Sequence, residues 1–287
     1  VAISGDTIVV GAYYEDSNST AVCNAPFTSC SGLGNNAASA AGAAYVFERD
    51  GSGAWQQKAY LKAPNAEASD WFGYSVAISG DTIVVGAIWE GSNSTAVCNA
   101  PFTSCSGLGN NAASAAGAAY VFERDGSGAW QQKAYLKAPN AEGSDYFGRS
   151  VAISGDTIVV GAYYEDSNST AVCNAPFSGN CAAPSGLYMG DNSLTNPGAA
   201  YVFERDGSGA WQQKAYLKAP NTGAGDYFGY SVAISGDTIV VGAVNEASNS
   251  TAVCNEFTST ACDNADGDGP NNNGASDAGA AYVFERK

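Results

Sequence analysis

Val76-Ala77-Ile78-Ser79-Gly80-Asp81-Thr82-Ile83-Val84-Val85-Gly86-Ala87 is the stretch that decides the fold. Two short β-branched runs flank a Gly-Asp turn, which is the signature of a tight antiparallel hairpin. The same phrase opens at Val1, Val151 and Val232. Repetition at a near-constant spacing means that neighbouring units share a core, so the chain reads as an array, a solenoid or a propeller.

Reading outward from the hairpin, a long insertion leads to Ala118-Ala119-Tyr120-Val121-Phe122-Glu123-Arg124, a third apolar run. Asp125-Gly126-Ser127-Gly128 then supplies a turn. In the fourth run, Trp130, Gln132, Ala134 and Leu136 alternate with Gln131, Lys133, Tyr135 and Lys137, predicting a strand with one buried face. Pro139 and Asn140 stop it. The expectation is an all-β chain of four-stranded antiparallel blades, arranged as a β-propeller or as an open, polymerising array. It forms one repeat domain with units at 1–75, 76–150, 151–231 and 232–287, the last incomplete.

Phe-Gly at Phe72, Phe147 and Phe228 precedes each later hairpin, and with Ser-Val-Ala-Ile-Ser-Gly-Asp and Val-Val-Gly-Ala it resembles FG-GAP repeats. These are the blades of the integrin alpha-subunit head and of many bacterial surface proteins. The resemblance implies a propeller, commonly seven-bladed, that works in extracellular adhesion or recognition. It departs from the calcium-binding versions, whose first two strands are separated by an Asp-rich loop. Asp6, Asp81, Asp156 and Asp237 sit in a short Ser-Gly-Asp-Thr turn and read as turn residues accepting local backbone hydrogen bonds.

Charge narrows the partners. Twelve basic residues against 28 acidic ones leave a net charge of −16, which repels nucleic-acid phosphates and anionic bilayers. The apolar runs are strand-sized, far below the roughly 20 residues that cross a membrane as a helix. Neither nucleic-acid binding nor membrane insertion is expected. The chain has no histidine, which removes the Ser-His-Asp triad and every imidazole metal site. Val1 opens inside a repeat phrase, as in a processed product or a piece of something longer.

The eight cysteines fall in four close pairs at one place in the repeat: Cys23 and Cys30, Cys98 and Cys105, Cys173 and Cys181, Cys254 and Cys262. Local disulfides account for all eight and place the chain at the cell surface or outside the cell. The rival reading, zinc, prefers shorter spacings and imidazole partners. Within the same insertions Asn18, Asn93, Asn168 and Asn249 each begin an N-x-Thr sequon, a candidate glycosylation site. Asp263, Asp266 and Asp268 form the oxygen-rich segment suited to calcium, although the spacing is not that of an EF-hand. No cofactor is otherwise required.

Glu15-Asp16 and Glu165-Asp166 lie beside Tyr13-Tyr14 and Tyr163-Tyr164 and read as solvated loop charges. Trp55, Trp130 and Trp211 read as packing residues. Trp71 and Trp89 stand where other units carry tyrosine, which places them at the surface or a rim.

The functional expectation is a non-catalytic extracellular protein, a disulfide-pinned scaffold for surface recognition or for a surface fibre. Its partner is a protein or glycan on another surface, or a second copy joined head-to-tail through unpaired terminal strands. The fourth-strand phrase Trp-Gln-Gln-Lys occurs three times against four hairpins, so further repeats, a donated strand or an open edge completes the set. Two alternatives stand: a secreted hydrolase or lyase using carboxylates and tyrosines in the divergent insertions, and a calcium-dependent ligand-binding propeller.

Overall fold

The computed structural model describes residues 1–28, 30–103, 105–170, 172–175, 177, 192–248 and 274–286. Its elements are all strands. The first sheet comprises β1 (Ala2–Ser4), β2 (Thr7–Ala12), β3 (Cys23–Asn24), β4 (Ala43–Arg49) and β5 (Trp55–Leu61). The second comprises β6 (Phe72–Ser79), β7 (Thr82–Ala87), β8 (Cys98–Asn99), β9 (Ala118–Arg124) and β10 (Trp130–Leu136). The third comprises β11 (Ser150–Ser154), β12 (Thr157–Ala162), β13 (Cys173–Asn174), β14 (Ala199–Arg205) and β15 (Trp211–Leu217). The fourth comprises β16 (Phe228–Ser235), β17 (Thr238–Ala243) and β18 (Ala280–Glu285). No helix among the described residues is long and apolar enough to cross a membrane.

The three complete sheets have five strands, not four. The expected four lie in chain order and the added strand, contributed by the disulfide loop, closes the far edge, as in β6-β7-β9-β10-β8. Cys98 and Asn99 pair with Tyr135 and Ala134. The addition is short because only these two residues of the insertion reach the ladder. Its asparagine also grips the next sheet. Asn24 accepts from Trp130 N at 2.8 Å and donates to Trp130 O at 3.0 Å, and Asn99 does the same to Trp211.

The sheets stack in one open row and do not close into a ring. β6 lies against β1 and β2, β11 against β6 and β7, and β16 against β11 and β12. Sandwiching explains why β7 and β12 are buried along their whole length, as near-continuous apolar runs require. Ile83 and Val85 face the first sheet and share its core with Val9, Val46 and Leu61. Val84 faces the other way, with Ile158, Val160 and Phe203.

The simple alternation expected of the fourth strand is broken by a bulge. Gln132 pairs with Phe122 but Ala134 with Val121, so Lys133 is the extra residue. The bulge puts Trp130 and Tyr135 on the face toward the first sheet and Ala134 and Leu136 on the opposite face. Trp130 and Trp211 are buried against the preceding sheet, with indole N–H groups 3.4 Å and 3.2 Å from Glu48 and Glu123. Trp55 departs from its expected packing role. It is 44 % exposed, on the outer face of the first sheet, where no described sheet packs against it.

The Phe-Gly dipeptide has a steric reason. A Cβ added at Gly148 would meet Ala118 O at 2.4 Å, and one added at Gly86 would meet Gly148 O at 2.2 Å. Two backbones therefore cross at van der Waals contact at each junction, and only glycine fits there. The adjoining phenylalanine is fully buried: Phe72 packs edge-on to Tyr120 and Phe122.

Candidate functional site

The insertions are tied down at their bases. Cys23–Cys30 and Cys98–Cys105 are disulfides, each with Cα atoms 5.7 Å apart, and Cys173 is disulfide-bonded. Cys181, Cys254 and Cys262 lie outside the described residues, as do Asn249, Asp263, Asp266 and Asp268. Among the described residues no cluster of three or more acidic or cysteine side chains is placed to hold a metal ion. Asn18 and Asn93 are exposed, each held to a second asparagine of the same insertion, Asn35 and Asn110. Asn168 is half-buried and donates to Ser193 Oγ at 2.7 Å.

The turn aspartates accept from arginine rather than from the local backbone. Arg124 Nε donates to Asp81 Oδ1 at 2.7 Å while its Nη1 reaches back to Glu48 of the first sheet at 3.0 Å. Arg205 repeats this with Asp156 and Glu123, and Arg286 with Asp237 and Glu204. A ladder of charge pairs thus runs along the hairpin edge of the stack. The residues that do cap turns through backbone N–H groups are Asp50, Asp125 and Asp206, each bonded two and four residues ahead.

The acidic residues after the second strand are not solvated charges. Glu90 and Glu165 are 1 % exposed, and each faces a buried lysine: Lys137 Nζ lies 3.0 Å from Glu90 Oε2 and Lys218 Nζ 3.0 Å from Glu165 Oε2. Glu15 and Lys62 make the same pair in the first sheet. Burial pushes all three lysine amines below their ordinary range, opposed by the partner carboxylates. Tyr135 and Ser92 hydrogen-bond to Glu90 as well, so its oxygens are well satisfied. The cluster also spans the junction. Asn65, in the loop after β5, donates to Glu90 Oε1 at 3.0 Å and accepts from the Tyr120 hydroxyl at 2.8 Å. Asn140 bridges Glu165 and Tyr201 in the same way, and Asn221 bridges Glu246 and Tyr282. The lysines at the end of the fourth strand were not singled out from the sequence, because the bulge that turns them inward has no residue signature of its own.

Next to each cluster lies a buried aspartate. Asp70, Asp145 and Asp226 are each 4 % exposed, and burial raises their carboxyls to about 7, about 8 and about 6, opposed by one backbone N–H each.

One surface is continuous across all four sheets. Tyr13 and Tyr14 follow β2, Trp89 follows β7, and Tyr163 and Tyr164 follow β12. Trp71, Tyr146 and Tyr227 precede the phenylalanine of each Phe-Gly. The rings connect in sequence: Tyr14 to Trp71 at 5.5 Å, Trp71 to Trp89 at 5.5 Å, Trp89 to Tyr146 at 5.4 Å, Tyr146 to Tyr164 at 5.0 Å, and Tyr164 to Tyr227 at 5.2 Å. Beside them Arg149 lies over the rings of Tyr74, Tyr163 and Tyr230, at 5.1, 5.6 and 4.2 Å. Tyr14 is 62 % exposed, Trp89 39 % and Tyr230 37 %.

Trp71, Tyr146 and Tyr227 hold left-handed backbone, with φ of 57, 55 and 59°. For a bulky residue this costs of order 1–3 kcal/mol, and such outliers gather at functional surfaces. The sequence placed Trp71 and Trp89 at the surface or a rim, where the structure finds them, but it did not show that they are neighbours. Aligning the repeats puts both positions at the same edge of the blade, which was the available signal.

No curated protein matches the chain. The FG-GAP repeat model matches residues 55–100, 130–173 and 211–253. Each match starts at the fourth strand of one sheet and runs through the Phe-Gly and hairpin of the next to the disulfide loop, so it takes in the glycine crossing and a buried lysine. These three matches, on all-β sheets stacked blade against blade, show that the chain carries FG-GAP repeats.

Proposed function

We propose that the chain is a non-catalytic extracellular scaffold that recognises neutral glycan chains on another surface through its aromatic ridge. The observation that carries this is the unbroken run of rings from Tyr14 to Tyr227, crossing every junction between sheets. Partly exposed aromatic faces take up the apolar C–H faces of sugar rings, and tyrosine hydroxyls bond their polar edges. A net charge of −16 works against an anionic polymer. Disulfide-bonded loops support the extracellular setting, where such bonds persist.

Affinity electrophoresis through gels cast with cellulose ethers, xylan or soluble starch tests the reading. Retardation by at least one polymer, lost in a Tyr14→Ala/Trp89→Ala variant, is the expected result. Unretarded migration in all of them would contradict it.

A second reading, head-to-tail stacking of copies, has its own observation. Ile3 and Trp55 on one end sheet are 63 % and 44 % exposed and Val283 on the other is 64 % exposed, whereas Ile78, Trp130 and Val121, their equivalents inside the stack, are buried. An interface using these faces is heterologous and extends without closing. Sedimentation velocity at rising concentration should then show a growing series of oligomers, and a single species throughout would remove this reading.

A further inference from the structure

The buried Lys-Glu-Asn-Tyr clusters where the first sheet meets the second and the second meets the third hold every group that amide-bond formation between lysine and asparagine needs. Lys137 Nζ and Asn65 Nδ2 are bonded to opposite oxygens of one carboxylate, Glu90, each at 3.0 Å. The hydroxyl of Tyr120, a fully buried residue, donates to Asn65 Oδ1 at 2.8 Å and so polarises the carbonyl that would be attacked. At the next junction Lys218 and Asn140 share Glu165 at 3.0 and 2.9 Å, with Tyr201 donating to Asn140 Oδ1 at 2.8 Å. Nucleophile and acid-base group come from one sheet and the electrophile from the loop of the preceding one. We propose that Lys137 is joined to Asn65, and Lys218 to Asn140, by isopeptide bonds that lock consecutive sheets together.

The chemistry balances without an external reagent. The lysine ammonium passes a proton to the Glu90 carboxylate, a transfer that burial of the pair favours by removing both charges. The free amine attacks Asn65 Cγ, forming the C–N bond, while the carbonyl electron pair moves onto Oδ1, where the Tyr120 hydroxyl stabilises it. Glu90, now a carboxylic acid, protonates Nδ2. The Cγ–Nδ2 bond breaks as the carbonyl re-forms, and ammonia leaves. The attacking nitrogen gives up its surplus proton, which leaves with the ammonia as ammonium and returns Glu90 to its starting state. Nothing is oxidised or reduced.

The proposal concerns these two junctions, where lysine, glutamate, asparagine and tyrosine all lie among the described residues.

Intact-mass spectrometry of the full 287-residue chain, reduced and unfolded after storage at neutral pH, reads the result directly. The expected mass is below that of the sequence by two molecules of ammonia, with fragment spectra linking Lys137 to Asn65 and Lys218 to Asn140. Asn65→Ala and Asn140→Ala should each restore one ammonia, a readout that survives even if the variants fold less well. Full sequence mass in the parent chain, or a deficit that persists in both variants, overturns the proposal.

Discussion

At the residue scale the buried lysine–glutamate pairs are the most consequential groups in the molecule. Either ion alone would be an uncompensated charge in a dry junction, which typically costs 3–5 kcal/mol when its partner is removed. Lys62→Met, which breaks the first-sheet pair with Glu15 where no cross-link is proposed, should therefore lower the unfolding free energy by up to about that amount, read from urea denaturation. A loss below about 1 kcal/mol would show the pair to be solvated like an ordinary surface bridge. The three buried aspartates set a pH dependence of definite sign. Their carboxyls are raised in the fold to about 7, about 8 and about 6, so the folded chain binds more protons than the unfolded one. Their contribution is complete below the unfolded carboxyl value of about 3.9 and is lost as pH rises through the folded values. The melting temperature should fall between pH 5 and pH 8.5 (about those limits), and an Asp70→Asn/Asp145→Asn/Asp226→Asn variant should show a flatter profile. A wild-type profile that rises over that window would contradict the assignment.

At the scale of elements, the glycine crossings make the stacking specific. Gly148→Ala forces a methyl group against Ala118 O at 2.4 Å, from a residue at φ +88. Gly128, at φ +86, has nothing within 4 Å of an added Cβ. Gly128→Ala should thus cost only the left-handed penalty of about 1–2 kcal/mol. Gly148→Ala should cost at least about 1–3 kcal/mol beyond that, because the neighbour is backbone and cannot turn away. Equal melting temperatures for the two variants would mean that the crossing relaxes freely. Much of this scale was legible in the sequence. Val76–Ala87 and Ala118–Arg124 announce their strands by β-branched content and turn dipeptides, which are local properties. The Cys98–Asn99 strand was not legible, because two residues carry no period and their pairing with Tyr135 and Ala134 is settled by the fold. The inward turn of Lys137 was hidden for the same reason: one bulged residue, Lys133, reverses the face of everything beyond it.

At the scale of the whole molecule, repetition converts single side chains into continuous features. Charge pairs line the hairpin edge from Asp6 to Arg286, and aromatic rings run from Tyr14 to Tyr227. Near-identical units cannot make a one-copy pocket easily, but they make long surfaces at no extra cost in sequence. The sequence showed that the array exists; it did not reveal the ridge, since its members belong to different repeats and meet only when sheets stack. The measurement that tests recognition by this ridge most directly is a tryptophan-fluorescence titration with soluble neutral oligosaccharides. Trp71 and Trp89 lie within the ridge, so their emission should change saturably in the parent chain. The same titration of a Tyr14→Ala/Tyr164→Ala variant, which keeps both reporters, should show affinity reduced at least about fivefold, as loss of two stacking contacts of about 0.5–1.5 kcal/mol each implies. Emission that never responds to any neutral glycan, or responds identically in the variant, would contradict the account.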